Sequence, residues 1–142
     1  MIVGKIDEKE VGTDELRALL NAPHIISLGI LAPDDLSVIY KGARGFVSPS
    51  LWEGFGLPIL EAFQSNLPVA CARIPSHEEI AGEAGLYFDP ESHSELKATL
   101  KQLLTDESGR ESLLQNGKKR LELFSWERAA EETSEVYREV LG

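Results

Sequence analysis

Little in this sequence invites redox or metal chemistry. Of its 142 residues one is cysteine, so no internal disulfide can form. Cys71 sits in the apolar run 68–72, Pro-Val-Ala-Cys-Ala, where a thiol serves as a small hydrophobe rather than a nucleophile. The three histidines, His24, His77 and His93, show no metal-ligand spacing with it, and no metal site is expected. Cations are scarce as well: 14 Lys and Arg stand against 24 Asp and Glu, a formal net charge of −10 that disfavours broad attraction to nucleic acid or to anionic membrane. No apolar run approaches the roughly 20 residues a membrane span needs. The opening MIVGKIDEKE lacks the apolar core and small-residue cleavage site of a signal peptide, so a cytoplasmic location is the expectation.

What remains, 42% hydrophobic and 27% charged residues, is the composition of an ordinary globular chain. Its length fits a single domain, residues 1–142, large enough to bury roughly two-thirds of the surface its unfolded chain exposes. Short apolar runs alternate with amphipathic stretches. Residues 1–6, 24–28, 45–49, 68–72 and 85–88 read as strands. Helical spacing appears from Thr13 to Asn21 with Leu16, Leu19 and Leu20 on one face, from Pro33 to about Ala43, and from Pro58 to residue 66. Ser76 with Glu79, and Ser92 with Glu95, have the spacing of capping boxes. Beyond residue 90 the chain reads as helix throughout. One helix carries a stripe of Leu96, Leu100, Leu103 and Leu104; a second carries Leu113, Leu114 and Leu121; a terminal one, capped by Ser125, turns Trp126, Ala129, Ala130, Val136, Tyr137 and Val140 inward. The alternation predicts an α/β protein, a Rossmann-like parallel sheet flanked by helices with a helical C-terminus. Such sheets bind ligands beyond the carboxyl ends of their strands.

One such end is chemically distinctive. In VSPSLWEGFGLPILEAF, residues 47–63, an apolar strand stops, a glycine turn intervenes and a helix begins with Pro58 at its first position. Gly54 and Gly56 allow positive φ and bring the backbone close to a ligand, while the helix start offers unpaired N–H groups and a partial positive charge. Glu53 precedes the turn and Glu61 follows it. Carboxylates repel phosphate, so these two are placed for hydroxyls, and a hydroxyl-rich ligand with a phosphate in its middle is a nucleotide sugar. The plainer alternative is a tight strand-to-helix turn whose glutamates merely complement a helix start, worth about 0.3–1 kcal/mol.

The run Ser50-Leu51-Trp52-Glu53-Gly54-Phe55-Gly56-Leu57-Pro58-Ile59-Leu60-Glu61-Ala62 resembles the signature of the retaining GT-B glycosyltransferases of group 1, family 4. The segments ISLGILAPDDLSVIYKGARGFVSPS, PVACARIPSHEEIAGEAGLYFDP and FSWERAAEETSEVYREVL resemble consecutive pieces of that family's C-terminal, donor-binding domain. The resemblance implies the C-terminal half of a GT-B fold, a nucleoside-diphosphate sugar as donor, and transfer of a hexosyl group to an acceptor hydroxyl with retention. It places Glu53 on the donor sugar as the catalytic residue, the backbone of Gly54, Phe55, Gly56 and Leu57 on sugar and diphosphate, and Glu61 on the ribose. The turn Gly29, Ile30, Leu31 would lie beside the nucleobase. It implies neither metal nor other cofactor, an acceptor sugar or lipid brought by an N-terminal domain, and room for a peripheral place at the membrane in an intact enzyme.

The resemblance also implies a first strand and helix, bearing an arginine and a lysine for the diphosphate, that this chain lacks. Lys5 and Lys9 superficially resemble that pair. Only about 20 residues separate Lys5 from the next apolar run, too few for the intervening elements at roughly ten or more residues per crossover, so Lys5 fits the second strand better. A sheet missing its neighbour should expose an edge and tend to homodimerise. A non-catalytic nucleotide-sugar module that depends on a partner acceptor domain is the alternative function.

Overall fold

The computed structural model describes residues 1–4 and 13–142. Lys5 and Lys9, and with them the question of a cationic pair, lie outside the described residues. The chain divides into two compact units, Met1–Ile39 and Tyr40–Gly142.

Among the described residues of the first unit the two expected strands contribute one parallel bridge, Ile2 with Ser27. Ile2 N–H donates to the Ile26 carbonyl at 2.8 Å and Leu28 N–H to the Ile2 carbonyl at 2.9 Å. Helix α1 (Asp14–Leu20) forms where expected, with the Thr13 hydroxyl accepting from Leu16 N–H at 3.2 Å. Its leucine face is not covered: no residue of α1 is buried. The cap and the acidic first turn specify this helix locally, whereas burial needs a neighbour. Helix α2 (Pro33–Gly42) contains the boundary between the units.

The second unit holds a three-stranded sheet in the order β1 (Phe46–Ser48), β2 (Val69–Ala72), β3 (Gly85–Phe88), every pair parallel. The central strand, β2, is wholly buried, as its unbroken apolar run requires of a strand with both faces covered. Helix α3 (Leu57–Gln64) connects β1 to β2. Helix α4 (Pro75–Ala81) and a 3-10 turn (Gly82–Ala84) connect β2 to β3. On one face Ala70, Ala72 and Phe88 form a core with Leu103 of α5 (His93–Thr105), and Val47, Leu86 and Leu96 pack against it. Alternation sends Tyr87 to the other face, where its hydroxyl donates to the Gly82 carbonyl at 2.7 Å and its ring lies under Arg73. Helix α6 (Glu107–Leu121) packs on α3 through Gly117, where an added Cβ would stand 2.8 Å from Phe63 Cδ1.

Three sequence expectations change. Ser92 caps α5 by accepting from Glu95 N–H at 3.2 Å, but Glu95 reaches the N–H of Asp89 rather than that of Ser92, so only half the capping box forms. Ser76 caps nothing: Pro75 takes the first helical position and makes Ile74 the N-cap. The third concerns α7 (Trp126–Leu141), capped by Ser125 as expected but with no buried residue. Trp126 is 77%, Tyr137 64% and Val140 77% exposed, so the predicted inward face lies open. Amphipathic spacing shows which face would be covered, not that a neighbour covers it.

Candidate functional site

The glycine turn lies beyond the carboxyl ends of β1 and β2, where parallel sheets of this kind take their ligands. Gly56 is the N-cap of α3 at φ 106 and ψ 35, a backbone conformation open to glycine and strained for any residue with a Cβ. Leu57 is the first helical residue and Pro58 the second, one position later than the sequence suggests. No side chain caps α3. The N–H groups of Gly54, Phe55, Gly56 and Leu57 make no hydrogen bond among the described residues, which leaves four donors on consecutive residues at the positive end of a helix dipole.

Both glutamates stand beside this cradle, and each is held by one oxygen. Glu53 Oε1 accepts from the Ser50 hydroxyl at 2.7 Å and lies 3.9 Å from His77 Nε2. Glu61 Oε2 accepts from the Tyr40 hydroxyl at 3.1 Å. Tyr40 is itself 8% exposed and tilts onto Phe46 at 5.8 Å. Burial, followed by the Glu61 charge, pushes the Tyr40 phenol well above its ordinary pKa, so it stays a donor. Among the described residues the second oxygen of each carboxylate has no partner, and each can therefore accept from one further hydroxyl.

Phe55 enters the cradle through its backbone alone. Its ring meets Phe124 edge-on, with centroids 6.1 Å apart at 89°. Phe124 lies under Arg120, which donates to the carbonyls of Ile80, at 2.8 Å, and of Glu79. The loop of residues 51–57 also exposes Leu51 and Trp52, the latter by 85%. Gly29, Ile30 and Leu31 belong to the first unit. Gly29 has φ 65 and its carbonyl accepts from Gly4 N–H at 2.8 Å, while Ile30 is 78% exposed.

Cys71 is fully buried and its thiol is pushed up to about 12 by burial, with Glu78 adding and Arg73 opposing. It is inert, as the apolar run indicates. No group of three or more His, Cys, Asp or Glu able to hold a metal occurs among the described residues, and none of their helices is long and apolar enough to cross a membrane.

Sequence reasoning passed over Tyr40 and Ser48 as site residues and gave His77 no role. A tyrosine at helical spacing reads as core, and His77 reads as a neighbour of the ligand without a catalytic part. For Tyr40 and Ser48 the signal available was a polar group in an otherwise apolar stretch.

Known proteins resemble this chain over most of its length. The family described as Glycosyl transferases group 1 matches residues 1–120. O-antigen chain mannosyltransferase B of Escherichia coli is 41% identical over 111 residues, which are 78% of this chain and 29% of that protein. MMP alpha-(1->4)-mannosyltransferase of Mycolicibacterium hassiacum is 32% identical over 134 residues, 91% of this chain and 33% of that one. Among solved structures, sucrose-phosphate synthase from Thermosynechococcus elongatus superposes with a TM-score of 0.81 at 27% identity, covering 98% of this chain and 37% of its own. The α/β architecture is thus that of GT-B enzymes, and the chain spans about a third of the length of the relatives it matches.

Proposed function

This chain belongs to the group 1 glycosyl transferases, and from that premise we propose that it is the donor-binding part of a retaining hexosyltransferase. One observation carries the reading: four consecutive unpaired N–H groups lie between two carboxylates that are each tethered by one oxygen. A nucleoside-diphosphate sugar has this polarity. Its diphosphate takes the N–H groups and the helix dipole, its sugar hydroxyls take Glu53, and its ribose takes Glu61. As the glycosidic bond breaks, charge grows on the departing diphosphate, where donors already in place stabilise it without reorganisation. The step is proposed to be metal-independent, with Glu53 hydrogen-bonding the sugar. A glycosidase-like pair is disfavoured because Glu61 follows a phosphate cradle on a helix instead of flanking a sugar bond.

The mannosyltransferase names of the relatives support a hexose donor. Their threefold greater length supports a separate acceptor-side domain in the whole enzyme, with this chain supplying the donor side. On this reading the isolated chain binds donor and transfers nothing until an acceptor domain is supplied.

The test is an NMR titration of the labelled chain with UDP-, GDP- and ADP-sugars and with the bare diphosphates. Saturable shifts centred on Gly54, Phe55, Gly56, Leu57 and Glu61 are expected with one base. Absence of saturable shifts at that turn with every ligand would overturn the reading.

The Tyr40 tether supplies a second expectation. Tyr40→Phe frees the Glu61 carboxylate to rotate, and affinity for the bare nucleoside diphosphate should fall by about 0.5–1.5 kcal/mol. Calorimetric titration beside a melting curve separates this from a loss of fold. Unchanged affinity would show that Glu61 needs no tether.

A further inference from the structure

His77 is fully buried and so far unused by the proposed chemistry. Its ring lies between the ends of two strands and the glycine turn. Nδ1 is 2.9 Å from the Ala72 carbonyl, and since a carbonyl only accepts, Nδ1 carries the proton. Nε2 is directed at two oxygens, Ser48 Oγ at 3.4 Å and Glu53 Oε1 at 3.9 Å. The carbon next to Nε2 supports the turn: a Cβ built on Gly56 would stand 3.6 Å from His77 Cδ2. One ring therefore backs the catalytic carboxylate and underlies the N-cap of α3.

The 3.9 Å separation is too long for a hydrogen bond. It matches a lone pair on Nε2 that accepts from the Ser48 hydroxyl and keeps the carboxylate oxygen from settling deeper. The Ser50 hydroxyl holds that same oxygen from the other side at 2.7 Å. Glu53 Oε1 is thus fixed between Ser50 and the ring, and Oε2 is left for the ligand.

We infer that His77 is a positioning residue: locked by the Ala72 carbonyl, it sets where the Glu53 carboxylate stands and so which sugar hydroxyl that carboxylate can accept. Resting on the donor-site reading above, this deepens it by making sugar discrimination depend on a group that never touches the sugar. The selectivity concerns the sugar alone, since the N–H cradle and Glu61 do not involve Nε2.

The experiment uses the full chain in two states. Without ligand, the ring nitrogens of His77 and the amides of residues 53–57 are followed by NMR in the wild type, Glu53→Gln, His77→Asn and His77→Gln. Asparagine retains an N–H near Nδ1 and removes the Nε2 edge; glutamine extends an amide toward it. His77→Asn and Glu53→Gln should shift the same turn amides, and Glu53→Gln should shift Nε2 of the wild-type ring. With ligand, the ratio of affinities for nucleotide sugar and bare nucleoside diphosphate should fall roughly 5–30-fold in His77→Asn and recover in part in His77→Gln.

Equal losses for both ligands, or an unchanged ratio, would overturn the inference and mark His77 as a scaffold residue. If the wild type itself shows no preference for the sugar-bearing ligand, the donor-site reading fails separately, and the ligand-free shifts decide for His77. Should neither histidine variant fold, an Nε2 shift unmoved by Glu53→Gln overturns the inference by itself.

Discussion

Glu61→Ala should weaken binding of a nucleotide sugar and of its bare diphosphate alike, by about 1–3 kcal/mol or roughly 5–150-fold, while Glu53→Ala should weaken only the sugar-bearing ligand. The split follows from the proposed division of the ligand. Glu61 stands in the first turns of α3 with one oxygen taken by Tyr40, and its other oxygen is proposed to accept from the ribose, which both ligands carry. Glu53 stands before the turn with one oxygen taken by Ser50, and its proposed partner exists only in the sugar. Alanine at 61 also strands the Tyr40 hydroxyl, an acceptor lost to a buried donor. Glu61→Gln, which keeps an oxygen for Tyr40, is therefore measured beside it, so that loss of the charge is separated from loss of the tether. Calorimetric titration of each variant with both ligands is the measurement. Equal losses for both ligands in both variants would overturn the role assignment.

The largest effect on stability should come from Phe88→Ala, about 3–5 kcal/mol from the lost transfer energy and the cavity left behind. Phe88 is 1% exposed at the end of β3 and closes the face formed by Ala70, Ala72 and Leu103. Ala70 and Ala72 are too small to fill the gap, and the aromatic ring is the largest single apolar group that the sheet presents there. With folding free energies of about 5–15 kcal/mol for a domain, such a loss takes roughly a fifth or more of the total. Urea unfolding should show a lower midpoint with an unchanged slope. A loss below about 1 kcal/mol would mean that this face does not close as described.

Both predictions rest on features that are legible in the amino-acid sequence to different degrees. Thr13, Ser92 and Ser125 each cap the helix expected of them, because a cap hydrogen bond joins residues three apart and depends on little else. The failure at Ser76 is equally local, since a proline at the first helical position displaced the cap by two residues. The unbroken apolar run of β2 announced a strand buried on both faces. The leucines of α1 and the open face of α7 show the opposite limit. Spacing defined their apolar faces correctly as patterns, and those faces are nonetheless exposed, because burial is a property of two elements and a pattern belongs to one.

The candidate site divides along the same line. The glycine turn, the two glutamates and the helix start lie within nine residues, from Glu53 to Glu61, so chain geometry alone brought them together, and the need for glycine at position 56 follows from its φ of 106. By itself the sequence determined the strand, turn and helix, the donors and the acids. The tertiary structure decided what holds the acids: Tyr40 is 21 residues from Glu61, and His77 is 29 residues from Ser48, with which it shares the space behind Glu53. The second contact exists because parallel pairing sets the ends of β1 and β2 side by side, Ser48 opposite Cys71, and no periodicity within either segment encodes that register.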